Sequence, residues 1–114
     1  MQSDHLPQTY ASIDIGTNTI TILIVEYYNN RVNILFEDEY ITMLGEGLSK
    51  TKRVNSRALT RCLKALLSYK AVIKRYGVSD IFCVATSAMR RATNQKQVLS
   101  EINNCGFYPK VITG

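Results

Sequence analysis

Histidine and cysteine are scarce in this chain. His5 is the single histidine, and Cys62, Cys83 and Cys105 lie far apart with no Cys-x-x-Cys pair. A structural zinc site needs four such ligands, usually in closely spaced pairs. The composition therefore excludes a zinc site of that kind and predicts three reduced, mostly buried thiols.

Long apolar runs and export signals are also missing. The longest purely aliphatic stretch, Ile22 to Val25, is far shorter than the roughly 20 residues that span a bilayer. Residues 1–10 contain no charged segment followed by an apolar one, which is the pattern of a secretory signal. We therefore expect a cytoplasmic protein with no membrane partner.

Internal repeats, low-complexity runs and long Pro/Gly linkers are absent as well, and the chain has only two prolines and six glycines. We expect a loose tail over residues 1–10 and one α/β unit over residues 11–114. Because the 114 residues are 46% hydrophobic, they can form a core. That core is small, so the unit should be only marginally stable alone.

Hydrophobic periodicity predicts a mixed sheet with helices. Strands are expected at 11–15, 20–27, 32–42, 80–85 and 109–113, a loop at 43–54, helices at 56–76 and 95–104, and a helical turn near 87–92. Asn29 and Asn30 are a turn signal, so the first three strands should form an antiparallel meander. Later strands should join in parallel through helical crossovers, which gives the order β-β-β-α-β-α-β.

The long helix at 56–76 is predicted to be amphipathic. Asn55 or Ser56 can cap its start and Gly77 its end, and Asn94 is the expected cap of the next helix. The apolar positions expected to face the core are Leu59, Cys62, Leu63, Leu66, Leu67, Ile73 and Tyr76.

An acidic residue, Asp14, lies in the first predicted strand between the apolar Ile13 and Ile15. Burial of a carboxylate there is costly unless it meets a cation, a water network or a substrate at the strand end. The strand therefore carries a candidate ligand-binding acid.

A tight polar turn follows that strand at residues 16–19. Gly16 lets the backbone approach a ligand closely, while Thr17, Asn18 and Thr19 offer hydroxyl, amide and main-chain donors in a row. The turn therefore suits phosphate. The same residues could equally form a plain hairpin connection, with Asn18 chosen for left-handed geometry.

A second polar turn follows the predicted strand 80–85. Thr86 and Ser87 stand where the start of a helix exposes unpaired N–H groups to an anion, and Arg90 one turn later could form a bidentate fork with phosphate. Alternatively, Thr86 or Ser87 is a simple cap and both arginines are solvated. We favour the phosphate role for Arg90 and the solvated role for Arg91.

Positive charge is concentrated in one segment. The net charge is +5, but residues 50–96 contain twelve Lys or Arg residues and one acid, Asp80, whereas the segment before Lys50 is acidic on balance. Such a segment favours polyanions through a salt-sensitive attraction. For the individual lysines, a solvated helix face is the favoured explanation.

Together, the two polar turns resemble the exopolyphosphatase/guanosine pentaphosphate phosphohydrolase (Ppx/GppA) family. Its members typically show Asp-Ile-Gly-(Ser/Thr)-Asn-(Ser/Thr) near the N-terminus and Ala-Thr-Ser-Ala-x-Arg-x-Ala-x-Asn downstream, and both strings occur here in order. The segments Leu44–Leu48 and Tyr108–Gly114 also resemble that family, so the similarity covers roughly residues 10 to 114. The fold it implies is the N-terminal domain of an actin-like (ribonuclease H-like, ASKHA) superfold.

The resemblance also implies what lies beyond residue 114. In that family, a catalytic glutamate that orients the attacking water follows the Ile-(Ser/Thr)-Gly strand end, and a second glycine-rich phosphate loop comes later. Neither is present in this sequence. We therefore expect an N-terminal part of the phosphatase domain, with an incomplete sheet and no general base. Alone, this chain should be inactive.

The resemblance assigns roles to the candidate site residues. Those expected to bind substrate phosphate are Gly16, Thr17, Asn18, Thr19, Thr86, Ser87 and Arg90. Arg90 would also stabilise charge on a phosphoryl oxygen, and Asp14 would hold Mg²⁺ through water. The expected substrate is inorganic polyphosphate or guanosine pentaphosphate, and the complete protein is expected to be a homodimer that binds no specific nucleic acid.

Two other classes of protein remain as alternatives. An ATP-binding lobe of a sugar kinase or chaperone has the same superfold and similar Asp-Ile-Gly turns. A non-catalytic basic module would bind DNA, RNA and polyphosphate equally and without Mg²⁺. The ordered Thr86–Arg90 string argues against that module, because a charge patch needs no such turn.

Overall fold

The chain alternates a strand meander with helices. The computed structural model describes residues 6–113. Its strands are β1 (Gln8–Ile15), β2 (Thr19–Tyr28), β3 (Arg31–Ile41), β4 (Asp80–Ala85) and β5 (Lys110–Val111). Its helices are α1 (Leu48–Thr51), α2 (Ser56–Tyr76), α3 (Ser87–Arg91) and α4 (Gln95–Asn104). The predicted α/β class and the predicted order of the strands and two main helices are confirmed.

The five strands form one mixed sheet in the order β3-β2-β1-β4-β5. The pairs β1–β2 and β2–β3 are antiparallel, whereas β1–β4 and β4–β5 are parallel. Asn29 and Asn30 have φ angles of 53° and 61°, the left-handed geometry that closes a tight hairpin between right-twisted strands. The predicted meander with parallel additions is therefore confirmed.

One face of the sheet forms the core. Alternate residues of β1 and β2 are fully buried, and they pack in one cluster with the buried residues of α2 and α4. The buried strand residues are Ala11, Ile13, Ile15, Ile20, Ile22 and Ile24. Burying an isoleucine side chain contributes about 1.5–3 kcal/mol, so this face stabilises the whole sheet.

The buried stripe of α2 differs in part from the predicted one. Cys62 and Leu66 are fully buried as expected, but the side chain of Leu67 is 56% exposed. Tyr69 is buried instead, and its hydroxyl donates to the main-chain oxygen of Ile20 at 2.9 Å. Because that hydrogen bond satisfies the polar tip, tyrosine can occupy a core position.

The caps of α2 agree with the prediction, but the expected cap of α4 does not form. The Asn55 side chain accepts from the N–H of Ala58 at 2.7 Å, and Gly77 ends the helix with φ of 62°. Asn94 makes no side-chain cap. Its amide instead accepts from the Val54 N–H and donates to the Val54 oxygen, both at 3.0 Å.

Several boundaries also differ from the predicted ones. Residues 8–10 of the expected tail belong to β1, while residues 1–5 lie outside the described residues. The expected loop 43–54 contains α1, and β5 is two residues long where 109–113 was expected. The N–H of Ile112 still donates to the Ala85 oxygen at 2.9 Å, so pairing continues past β5.

The second face of the sheet has no helix packed on it within the described residues. Apolar side chains there, such as Val32, Ile34 and Phe82, are exposed. That face of the sheet therefore presents uncovered apolar surface. The helices of the described residues include none that is both long enough and apolar enough to cross a membrane.

The three cysteines are free, as predicted. Cys62 is buried, while Cys83 and Cys105 are only half-buried. Burial, with a smaller contribution from Cys105, raises the pKa of the Cys62 thiol to about 12. Burial likewise raises the pKa of Cys83 to about 12. Thiols of this kind are poor nucleophiles at neutral pH.

Candidate functional site

Three chain segments meet at one edge of the sheet, which we call the strand-end edge. β1 and β4 are parallel neighbours with Ile15 opposite Ala85, so the residues that follow each strand emerge side by side. The N–H of Thr86 donates to the Ile15 oxygen at 3.1 Å. Ile112 joins them through its hydrogen bond to Ala85. The two polar turns predicted from the sequence are thus brought together.

The β1–β2 turn (residues 16–19) is closed by one short hydrogen bond. The N–H of Gly16 donates to the Thr19 oxygen at 3.0 Å. A Cβ atom on Gly16 would lie only 3.1 Å from that same oxygen, so glycine suits this position on steric grounds. Asn18 is exposed, while Thr17 and Thr19 are half-buried.

A second loop, residues 42–47, holds the β1–β2 turn from one side; we call it the support loop. The N–H groups of Thr42 and Met43 both donate to the Asn18 oxygen at 3.0 Å, and the N–H of Gly45 donates to the Thr17 oxygen at 3.0 Å. From the sequence, this segment was expected to be part of a loop and to resemble the family at Leu44–Leu48, with no role of its own. Gly45 was the signal that could have indicated a close backbone contact.

Asp14 is exposed rather than buried. Its side chain alternates with those of Ile13 and Ile15, which are both fully buried, so the carboxylate lies on the open face of the sheet. Its in-register neighbours are Thr21 on β2 and Val84 on β4. The expected cost of burying this acid between two isoleucines therefore does not arise.

Arg90 reaches from α3 across the strand-end edge. Its Nη1 atom donates to the main-chain oxygen of Ile112 at 2.8 Å, and the residue is exposed. A guanidinium has five donors in a planar fork, so this bond leaves others available to a ligand. The sequence indicated Arg90 but gave no sign of Ile112 as its partner.

The second polar turn, at Thr86 and Ser87, does not form the simple helix cap that was the alternative to a phosphate site. The Thr86 side chain makes no capping hydrogen bond at the start of α3. The Ser87 hydroxyl accepts from Nε of Arg91 at 3.1 Å. Arg91 is exposed as predicted, but it is not solely solvated, because it bonds within its own helix. α3 has only five residues, so its dipole adds little.

The positive charges of residues 50–96 do not form one surface of free cations. Nη2 of Arg61 contacts Oε1 of Glu46 at 2.7 Å, and Lys70 donates to the Cys105 oxygen at 3.2 Å. Arg57 and Lys64 are exposed on α2. These contacts agree with solvated or locally paired cations on the helix side of the sheet.

The strand order and the two turns at the strand ends define an actin-like α/β domain. A family model described as the Ppx/GppA phosphatase family matches residues 23–114. The chain belongs to that family. The resemblance stated from the turn motifs is therefore confirmed.

Two curated relatives show how far the similarity extends. A bifunctional 3-dehydroquinate synthase/phosphatase of Fusobacterium nucleatum is 38% identical over 99 residues, covering 81% of this chain and 15% of that protein. A guanosine-5'-triphosphate,3'-diphosphate pyrophosphatase of Aliivibrio fischeri is 28% identical over 115 residues, covering 100% of this chain and 23% of that protein. The chain spans less than a quarter of either relative.

Solved structures agree with the fold. A Ppx/GppA family member from Aquifex aeolicus superposes with a TM-score of 0.92 at 30% identity, covering 95% of this chain and 36% of that one. An exopolyphosphatase from Cytophaga hutchinsonii superposes with a TM-score of 0.90 at 27% identity, covering 94% and 35%. These matches favour the phosphatase family over the sugar kinase, chaperone and basic-module alternatives.

Proposed function

We propose that this chain forms one wall of the phosphate cleft in a phosphoanhydride hydrolase. The substrate is inorganic polyphosphate or guanosine pentaphosphate, from which the enzyme releases terminal phosphate. One observation carries the proposal: the β1–β2 turn, Thr86 and Arg90 converge at the strand-end edge through the Thr86–Ile15 and Arg90–Ile112 hydrogen bonds. The names of two similar proteins support these substrates: one is a guanosine-5'-triphosphate,3'-diphosphate pyrophosphatase, and the other is an exopolyphosphatase.

The residues at this edge have different roles in phosphoryl transfer. Gly16 to Thr19 supply main-chain and side-chain donors that bind a phosphate, with Thr86 and Ser87 on its other side. Arg90 stabilises charge on a phosphoryl oxygen, because its fork matches phosphate geometry. The residue that orients the attacking water is supplied from outside this chain. Positioning and charge neutralisation are what phosphoryl transfer chiefly requires.

Asp14 fits a magnesium ion that carries most of its own water. Within residues 6–113, no three Asp, Glu, His or Cys side chains group closely enough to hold a metal. Mg²⁺ commonly binds through one or two carboxylates together with substrate phosphates. The single exposed carboxylate of Asp14 suits that mode, and the ion would neutralise phosphate oxygens.

In the cell we propose a cytoplasmic homodimer.

Phosphate release tests the proposal. The full product of the gene is assayed with Mg²⁺ on long-chain polyphosphate and on guanosine pentaphosphate, with ATP as the comparison substrate. We expect phosphate from at least one of the first two at a clearly higher kcat/KM than from ATP. Preferential release from ATP, or none from any substrate, would contradict the proposal. The ratio between the two favoured substrates identifies the main one.

A further inference from the structure

The support loop controls which way the peptide groups of the β1–β2 turn point. In a trans peptide, the carbonyl oxygen and the following N–H lie on opposite sides of the bond. The support loop binds the carbonyl oxygens of Thr17 and Asn18. The N–H groups of Asn18 and Thr19 therefore point away from the loop. In the described part of the chain, the N–H group of Asn18 finds no acceptor.

Gly45 permits this close approach. A Cβ atom at position 45 would lie 2.5 Å from Cγ2 of Thr17, while its next contacts would be at an ordinary 3.7 Å or more. Gly45 has no positive φ angle, so alanine meets no backbone strain there. Alanine at position 45 would therefore differ from glycine only by a steric conflict with the Cγ2 methyl group of Thr17.

Arg61 fixes the support loop from α2. Its Nε donates to the Thr42 oxygen at 2.7 Å, and its Nη2 contacts Glu46 Oε1 at 2.7 Å. One guanidinium therefore holds both ends of the loop, on either side of Gly45. Leu44 and Leu48 are buried in the same core cluster as the buried residues of α2, which anchors the loop against that helix.

We propose that Arg61 is a positioning residue, which acts through the support loop to aim the N–H groups of the β1–β2 turn at phosphate. Arg61 does not touch the ligand; its effect passes through Thr42 to the carbonyl of Asn18. Gly45 is the second determinant, because it sets the distance between loop and turn. This inference rests on the proposed function, since it assumes that the turn binds phosphate.

Tripolyphosphate binding to this chain tests the inference. Its dissociation constant is measured by amide NMR titration, following the resonances of Asn18 and Thr19. Gly45→Ala should weaken binding about tenfold, the effect of one charge-assisted hydrogen bond. Adding Thr17→Ser, which removes the conflicting methyl group but keeps the hydroxyl, should restore the affinity to within about twofold. A merely structural role would leave the affinity of the folded variants unchanged.

Arg61→Lys provides a second variant that keeps the charge but loses the two-ended fork. It should weaken binding about tenfold, while Arg57→Ala, which removes an exposed cation from the same helix, changes it by less than about twofold. If the wild-type chain binds tripolyphosphate and both Gly45→Ala and Arg61→Lys bind it with unchanged affinity, this inference is overturned. The proposed phosphate site would then still stand. Absence of wild-type binding overturns both the inference and the proposed phosphate site.

Discussion

Arg90 is tied to the main-chain oxygen of Ile112, with Nη1 2.8 Å from that oxygen. The bond joins α3 to the chain just beyond β5, across the end of β4. It holds the guanidinium over the strand-end edge while leaving its remaining donors exposed. A side chain held in place in this way loses little further freedom when it binds an anion.

Replacement of Arg90 tests its charge-stabilising role. In the full gene product, Arg90→Ala should lower kcat for phosphate release by about ten- to a thousandfold, because a fixed cation is lost from the developing charge. Arg90→Lys should recover only part of this, since lysine cannot form the fork. Steady-state kinetics measure both. Unchanged turnover in Arg90→Ala, with Arg57→Ala as the matched control, would make Arg90 structural.

Thr42 carries a buried hydroxyl without a partner. Its Oγ1 has no hydrogen bond in the structure, although its residue is buried. An unsatisfied buried polar group costs about 1–3 kcal/mol, and replacing it with an apolar group of the same shape is neutral or stabilising. Thr42→Val should therefore keep or raise the free energy of unfolding, measured in urea. A loss above about 1 kcal/mol would show that the hydroxyl has a partner.

The Tyr69 hydroxyl should contribute measurably to stability. Tyr69→Phe removes its buried bond to the Ile20 oxygen and should lower the free energy of unfolding by about 1 kcal/mol. Tyr40→Phe is the matched control, because its hydroxyl meets Ser68 at 3.2 Å in an exposed position. The control should cost less than about 0.5 kcal/mol. Equal losses in the two variants would argue against a special role for the buried bond.

Alkaline pH should destabilise the fold. Burial raises the pKa of Cys62 and Cys83 to about 12 in the folded chain, against about 8.5 when unfolded. The unfolded chain therefore releases these protons first, so stability is full below about pH 8.5 and is lost as the pH rises towards about 12. Burial also raises the pKa of Tyr69, with a smaller effect from Asp38, in the same direction.

Urea unfolding under reducing conditions checks this pH dependence. The midpoint should fall steadily between about pH 9 and about pH 11, and the fall should be shallower when Cys62 and Cys83 are both replaced by alanine. A midpoint that stays constant over this range, or a slope unaffected by the double replacement, would contradict the assignment.

Much of the fold was predictable because local pattern and tertiary packing agree. Alternation of isoleucines specified the buried faces of β1 and β2, and Asn29-Asn30 specified the hairpin between β2 and β3. Long-range contacts decided the rest. Asn94 pairs with Val54, 40 residues away, rather than capping its own helix. Residues 8–10 join β1 because β2 offers them partners: Tyr27 lies opposite Gln8, and Val25 lies opposite Tyr10.

The candidate site was predictable only in its outline. Local motifs indicated the residues that carry donors, such as Asn18 and Arg90, because they follow strands whose ends lie side by side in the parallel β1–β4 pair. Their supports were not predictable. The bonds from Arg61 to Thr42 and from Arg90 to Ile112 join residues 19 and 22 positions apart. No local pattern in the sequence encodes such pairings.

The most direct test of the proposed site is to map where phosphate binds. Tripolyphosphate is titrated into the ¹⁵N-labelled chain, with and without Mg²⁺, and the shifted amide resonances are placed on the fold. Phosphate binding at the strand-end edge predicts saturable shifts at residues 16–19, at Thr86 and Ser87, and at the Arg90 side chain. Shifts confined to the exposed cations of α2, such as Arg57 and Lys64, would contradict it and reduce binding to general charge attraction.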